Sequence, residues 1–337
     1  MTRSHRIKFA GSEAGYDCPE DDRILRAGLR AGIGVPYECN AGGCGSCKFQ
    51  LVSGEVQDLW PEAPGIRASE REKGRRLACQ CIPLTKCEIK MRPAPEYVPL
   101  NPPRRLPAKF VGSKAVTADI REFTFKTAEP ANFIAGQYAM LALPGAKGER
   151  AYSMSNQPND KGEWSFMIRR VPAGKVSPRL FDQVDGNTPL EIDGPYGLAY
   201  LRNESARDIV CLAGGSGLAP IVSIVNAATA RVHEQSRGIW LFYGGRGPAD
   251  IPVIGDFVPA HGGIKFHPAI SAPELAVGTD WKGEACFVHE LLPRKLPNPL
   301  PQYDYYLAGP PPMIEAVMNL LMEHEVPMEQ IRFDRFF

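Results

Sequence analysis

Residues 37–50 read YECNAGGCGSCKFQ, placing Cys39, Cys44 and Cys47 within nine residues and packing Gly42, Gly43 and Gly45 between them. Thiols crowded onto so flexible a loop suit a disulfide, a zinc ion, a redox dithiol or an iron–sulfur cluster. The stretch alone leaves all four open. A fourth thiol narrows the choice: after 31 intervening residues comes Cys79, in RLACQC. Cys-x4-Cys-x2-Cys…Cys is the spacing of a plant-type [2Fe–2S] cluster held by four thiolates. Zinc favours paired Cys-x2-Cys arms, and only one such arm is present. A redox dithiol would use Cys44 and Cys47 and leave Cys39 and Cys79 without a role. A cluster of this kind is anionic and gains negative charge on reduction. The three glycines are therefore expected to turn backbone N–H groups inward, at positive φ. Cys81 and Cys87 are read as structural.

The remainder of the chain sets limits on that loop. It has 337 residues, 44% hydrophobic and 23% charged, with a formal net charge of +1. That is the composition of a globular protein with two or three domains. It carries no basic excess of the kind that binds nucleic acid. The first residues lack the apolar run of a signal peptide. Nine cysteines, an odd number, scatter apart from the one pattern. Together these point to a reducing cytoplasm and to thiolate ligation rather than a disulfide framework. Residues 209–230 run for 22 positions without a charge, long enough to span a bilayer. Three glycines and a proline interrupt that run, so it reads as a buried strand, a glycine turn and a buried helix. No membrane association is expected.

Six prolines in the fifteen residues 93–107 mark a semi-rigid linker. Before it, residues 1–92 mix a helix at RILRAGLRAGI, with Ile24, Leu25, Leu29 and Ile33 at helical spacing, with a strand at KFQLVSGEV. After it, residues 108–202 carry short alternating runs such as REFTFKT, GQYAMLAL and EWSFMIRRV, the pattern of an antiparallel barrel. Residues 203–337 change to strand–loop–helix units, which predict a parallel sheet covered by helices. The fold class is therefore multidomain α+β, with a mixed first domain, a β-barrel and an α/β domain.

YECNAGGCGSCKFQLVSGEV followed by LACQC resembles the β-grasp-like ferredoxin domain at the N-terminus of oxygenase reductases. Free plant-type ferredoxins are strongly acidic, whereas here Lys and Arg outnumber the acids of residues 1–92. The resemblance continues in Arg150-Ala151-Tyr152-Ser153, similar to the R-x-Y-S signature of the ferredoxin reductase-like flavin barrel. It implies that Arg150 neutralises a phosphate, Tyr152 lies flat on the isoalloxazine and Ser153 hydrogen-bonds its N5. It also implies that the strand at Ile168-Arg169 borders the adenine side. Gly174 and Ser177 would form the G-x-x-S turn around a pyrophosphate, Val176 adding a main-chain N–H, which favours FAD over FMN. Asp193-Gly194-Pro195-Tyr196-Gly197 is similar to the turn that closes the barrel.

Gly214, Gly215, Ser216, Gly217 and Pro220 follow a strand and open a helix, an arrangement suited to a dinucleotide pyrophosphate. With Pro220 they resemble the G-G-S/T-G-x-x-P form found in ferredoxin reductases. Tyr243 and Arg246 end the next strand, where adenosine is expected. Ala308-Gly309-Pro310-Pro311-Pro312-Met313 resembles the C-G-P-P-x-M turn beside the nicotinamide, with Ala308 in place of the family cysteine. This implies altered hydride transfer and makes Gly309, Pro310 and Met313 part of the nicotinamide site. Acidic Asp250, with no second basic residue after Arg246, favours NADH. Phe336 or Phe337 of the terminal IRFDRFF is expected near the flavin. The order of domains is similar to the reductase components of bacterial multicomponent monooxygenases acting on toluene, related aromatics or alkenes. It implies FAD, a [2Fe–2S] cluster and NADH, electrons passed on singly, and a Rieske-type ferredoxin or di-iron hydroxylase as acceptor, with the reductase monomeric. Two alternatives remain: the reductase of a Rieske dioxygenase, and a non-enzymatic iron–sulfur carrier or redox sensor.

Overall fold

A computed structural model describes residues 3–143, 148–172, 174, 176–230, 237–259 and 263–336. The chain divides into two compact units. One comprises Met1–Arg105 with Glu149–Ala151 and Ile192–Leu198, the other the remaining segments.

The first unit is built on a five-stranded mixed sheet, ordered Gly15–Pro19, Ser4–Phe9, Cys87–Lys90, Lys48–Ser53, Arg75–Leu77. Ser4–Phe9 forms an antiparallel pair with Gly15–Pro19 and runs parallel to Cys87–Lys90. Ile7 and Phe9 on the first strand and Tyr16 and Cys18 on the second are buried, the alternation of a strand with one face on a core. The expected helix forms over Ile24–Arg30 and buries Ile24, Leu25, Ala27 and Leu29. It also buries Arg26, which its spacing did not announce. The cysteine loop follows this helix and enters the strand Lys48–Ser53.

The proline-rich segment ends sooner than residue 107. The long strand Arg104–Ala115 already includes Arg104–Pro107, and Pro107 sits at an exposed position near its start, where a missing N–H is tolerated. A six-stranded sheet then takes the order Arg150–Ser153, Tyr138–Ala142, Leu190–Tyr196, Arg104–Ala115, Ile120–Thr127, Glu163–Arg169. A bridge between Met154 and Phe166 joins its two edges, so the sheet curls upon itself.

The C-terminal sheet is parallel throughout, ordered Glu284–Ala285, Ile264–Ile270, Ile239–Gly245, Asp208–Gly214, Tyr303–Gly309, Ile331–Arg335. Both faces are buried, as an all-parallel sheet requires. Ile209, Cys211 and Ala213 face a core shared with the helix Leu218–Thr229, while Val210 and Leu212 face one shared with Pro311–Glu323. The uncharged run 209–230 is thus strand, turn and helix. Among the described residues no helix is long and apolar enough to cross a membrane. The order of the strands reverses between Asp208–Gly214 and Tyr303–Gly309. Ligands of open α/β sheets bind at the carboxyl ends of strands at such a switch point. Two of the glycine-containing motifs end there.

Candidate functional site

In the first unit the cysteine loop directs main-chain donors at its own sulfurs. Ala41 N and Cys44 N donate to Cys39 Sγ at 3.4 and 3.3 Å. Cys39 N and Ser46 N donate to Cys44 Sγ, both at 3.5 Å. Gln80 Nε2 reaches Cys79 Sγ at 3.7 Å. These donors favour thiolates, as an anionic centre requires. Cys44 is lowered to about 5, first by the hydrogen bond it shares with Cys39. Cys79 is also lowered, first by a hydrogen bond from Cys47, with the Arg26 charge contributing, whereas the partner thiols Cys39 and Cys47 are raised, first by those same hydrogen bonds, so that each pair shares one proton.

The four thiols form two pairs, Cys39 with Cys44 and Cys47 with Cys79. Among the described residues, no three His, Cys, Asp or Glu side chains are grouped to hold one metal ion. Two thiol pairs fit a two-iron cluster better than a tetrahedral zinc. One further donor awaits a partner: Asn40 Nδ2 is buried and unpaired, and an anionic sulfide would satisfy it. Gly42 and Gly45 take positive φ, +86° and +80°, but the loop's third left-handed residue is Asn40 at +51°, not Gly43. Asn is among the few residues whose short polar side chain tolerates that conformation.

In the second unit the flavin signature and the nucleotide loop are tied together. Ser153 is buried at the end of its strand, and Tyr152 is half-buried before it. Just beyond, Ser223 Oγ donates to Asn156 O and Gln157 Nε2 donates to Ser223 O, both at 2.7 Å. Ser223 lies in the helix Leu218–Thr229 that the glycine loop opens. Neither contact was read from the sequence, although a lone fully buried hydroxyl in LAPIVSIVNAAT is the available signal. Arg169 Nε donates to Asp119 Oδ2 at 2.5 Å, and its guanidinium lies next to Gly215. Ile168 is buried, so any part it takes in binding falls to its main chain. In the G-x-x-S turn, Gly174 N donates to Val171 O at 2.8 Å, and Ser177 Oγ accepts from Val171 N at 2.9 Å. Ser177 therefore shapes the turn, and Val176 is buried beside it. Arg150 belongs to the first unit and is exposed, one of its guanidinium nitrogens donating to Glu149 O at 2.9 Å.

The glycine loop and the Ala308–Met313 turn interlock at the switch point. A Cβ on Gly217 would lie 2.1 Å from Ala308 O, and one on Gly214 would lie 2.7 Å from Met313 Sδ and 3.3 Å from Pro310 Cδ. Side chains there would force the two turns apart. Ser216 sits between them on the loop, half-buried, and Pro220 is buried in the first turn of the helix. Tyr243 is fully buried and supports the loop from beneath, its hydroxyl donating to Gly215 O at 3.3 Å. Arg246 is exposed, and Asp250 Oδ2 accepts from both Arg246 N and Gly247 N, at 3.0 and 2.9 Å. Ala308 is buried in an apolar cluster against which Phe336 packs, and Phe336 N donates to Gly309 O at 3.0 Å. Phe337 lies outside the described residues.

Three family models match in chain order. These are a 2Fe-2S iron-sulfur cluster binding domain over residues 7–84, an oxidoreductase FAD-binding domain over 107–200 and an oxidoreductase NAD-binding domain over 211–319. A ferredoxin–NAD(P)+ reductase of Metapseudomonas resinovorans is 39% identical across 99% of this chain and 100% of its own length. The chain belongs to the ferredoxin–NAD(P)+ reductases. The ferredoxin–NAD+ reductase component of an alkene monooxygenase system from Xanthobacter autotrophicus is also 39% identical, across 95% of this chain and 97% of its own. The solved ferredoxin reductase in carbazole 1,9a-dioxygenase aligns with a TM-score of 0.92 at 36% identity, covering 100% of this chain and 99% of that one. This reductase is therefore a flavin and iron–sulfur oxidoreductase that uses a [2Fe–2S] cluster, FAD and a nicotinamide dinucleotide.

Proposed function

We propose that this reductase takes reducing equivalents from NADH and delivers them singly to a ferredoxin or hydroxylase component of an oxygenase system acting on aromatic or alkene substrates. Full-length similarity to the alkene monooxygenase component supports that class of acceptor. The similarity to the carbazole dioxygenase reductase keeps a Rieske dioxygenase system as the second reading. When bound, FAD supplies the conversion from hydride to single electrons, and the cluster supplies one-electron transfer.

The rest falls to the chain's own residues. Arg150 offers charge to a flavin phosphate, and Ser153 a hydroxyl to the isoalloxazine. Gly215 and Ser216, on the loop that opens the helix Leu218–Thr229, offer main-chain N–H groups to the dinucleotide pyrophosphate at a helix N-terminus. The observation that carries the choice of NADH is Asp250. Its carboxylate occupies the two N–H groups of the loop after the adenosine strand. A 2′-phosphate placed there would meet a fixed negative charge rather than free donors. At the cysteine loop, the N–H donors hold the thiolates and exclude competing side chains.

The test is reduction of cytochrome c with NADH against NADPH, repeated with Cys79→Ser. NADH should be preferred. Cys79→Ser should lose cytochrome c reduction while its flavin still bleaches on adding NADH. Equal use of NADPH, or cytochrome c reduction undiminished in Cys79→Ser, would overturn the reading. Mixing the reduced protein with a purified Rieske-type ferredoxin or a di-iron hydroxylase separates the two acceptors.

A further inference from the structure

Arg26 is a charged side chain in the wrong place for an amphipathic helix. It sits mid-helix in Ile24–Arg30, is 1% exposed, and belongs to no surface. Its Nε donates to Asn40 Oδ1 at 3.1 Å, and its Nη1 donates to carboxylate oxygens of Glu149 and, at 3.2 Å, of Asp193. Asn40 follows Cys39 in the cysteine loop, Glu149 precedes Arg150 of the flavin signature, and Asp193 opens the Asp-Gly-Pro-Tyr-Gly turn. One guanidinium thus joins three motifs that lie far apart in sequence.

The charges around it cancel only when exposed Asp21 is counted. Arg23 pairs with Glu149 at 3.1 Å and Arg30 with Asp193 at 2.6 Å and Asp22 at 2.7 Å. Arg105 pairs with Asp22 at 2.8 Å and reaches exposed Asp21 at 3.4 Å. Among the buried and half-buried members, Arg23, Arg26, Arg30 and Arg105 face Asp22, Glu149 and Asp193, four cations against three anions. Desolvated charge is screened far less than surface charge.

We infer that Arg26 is a positioning residue for the cluster: it fixes Asn40 and the left-handed bend after Cys39, and its buried positive charge raises the cluster's reduction potential. The inference rests on the reading of the cysteine loop as a [2Fe–2S] site. One-electron reduction adds one negative charge to the cluster and moves no proton at Arg26, so a neighbouring fixed cation favours the reduced state. The hydrogen bonds of Arg26 go to Asn40, Glu149 and Asp193, so it acts on the cluster through Asn40 and through its charge.

The experiment is a redox titration of the cluster in the full-length holoprotein, followed by low-temperature EPR. Arg26→Gln should make cluster reduction about tenfold less favourable, a fall of about 59 mV for one electron. Arg26→Lys, which keeps the charge, should recover most of that loss. Glu149→Gln, which strips a counter-charge from Arg26, should shift the potential upward. Should Arg26→Gln not retain its cluster, Arg26→Lys and Glu149→Gln carry the test. A wild-type potential in Arg26→Gln, a loss in Arg26→Lys as large as in Arg26→Gln, or an unchanged or lower potential in Glu149→Gln overturns the proposal. NADH bleaching of the flavin, read in the same samples, reports separately on the proposed function. Absence of the cluster EPR signal in reduced wild-type protein would sink the cluster reading itself.

Discussion

The cysteine loop and the nucleotide turn are both glycine-rich, yet glycine serves different ends in them. In the loop, Gly42 and Gly45 adopt left-handed φ so that neighbouring N–H groups point at Cys39 and Cys44. In the turn, Gly214 and Gly217 are needed because the Ala308–Met313 segment leaves no volume for a side chain. The first aims donors at charge as well as avoiding a clash, whereas the second avoids a clash alone. Adding the same methyl group should therefore damage the two regions in different currencies.

Gly45→Ala should have the largest effect. Its φ of +80° is unfavourable for a Cβ, by roughly 1–2 kcal/mol, and the methyl would lie 2.5 Å from Gly65 O. The main chain must move, and with it the donors around the sulfurs. Cluster absorbance and iron content should fall sharply while flavin content and its bleaching by NADH persist. A fully loaded cluster in this variant would break the comparison.

Gly217→Ala should be opposite in kind, weakening coenzyme binding rather than losing a cofactor. The methyl would meet Ala308 O at 2.1 Å, an overpacking that costs about 1–3 kcal/mol. Cluster content should be unchanged, while the KM for NADH rises and thermal stability drops. Loss of the cluster with an unaltered KM would show that the two regions do not divide the work as argued.

The same division explains what could be read beforehand. Cysteine spacing, the glycine loop and the domain order are local patterns, each contained in a short run of chain. Arg26 was not legible because its partners Glu149 and Asp193 lie 123 and 167 residues away. An arginine beside others in an amphipathic helix ordinarily reads as solvated. Asn40 and Gly43 illustrate a second limit: glycine is the usual left-handed residue, and only the closed loop shows that Asn40 bends while Gly43 does not. Ser223 carried a faint signal, a hydroxyl in an apolar helix, but its acceptor on Asn156 is 67 residues upstream. The strand Arg104–Ala115 begins inside the stretch whose prolines read as linker, because prolines weaken a strand signal without preventing an exposed strand end.

The smallest expected effect tests the steric side at its finest grain. Ala308 stands where the family resemblance expects cysteine, and its carbonyl already touches the glycine loop. Its methyl faces a packed apolar cluster that includes Tyr243 and Tyr306, with Phe336 against it. Ala308→Cys adds one sulfur to this crowded position without altering any backbone donor. It should leave cluster content and potential untouched and change only the rate of flavin reduction by NADH. If the missing thiol slows hydride transfer, stopped-flow flavin reduction should accelerate by less than about tenfold, under about 1.4 kcal/mol of barrier. An identical rate would mean that the turn's shape, held by Gly309, Pro310 and Met313, suffices without the thiol. The steric account of the nucleotide site would then stand alone.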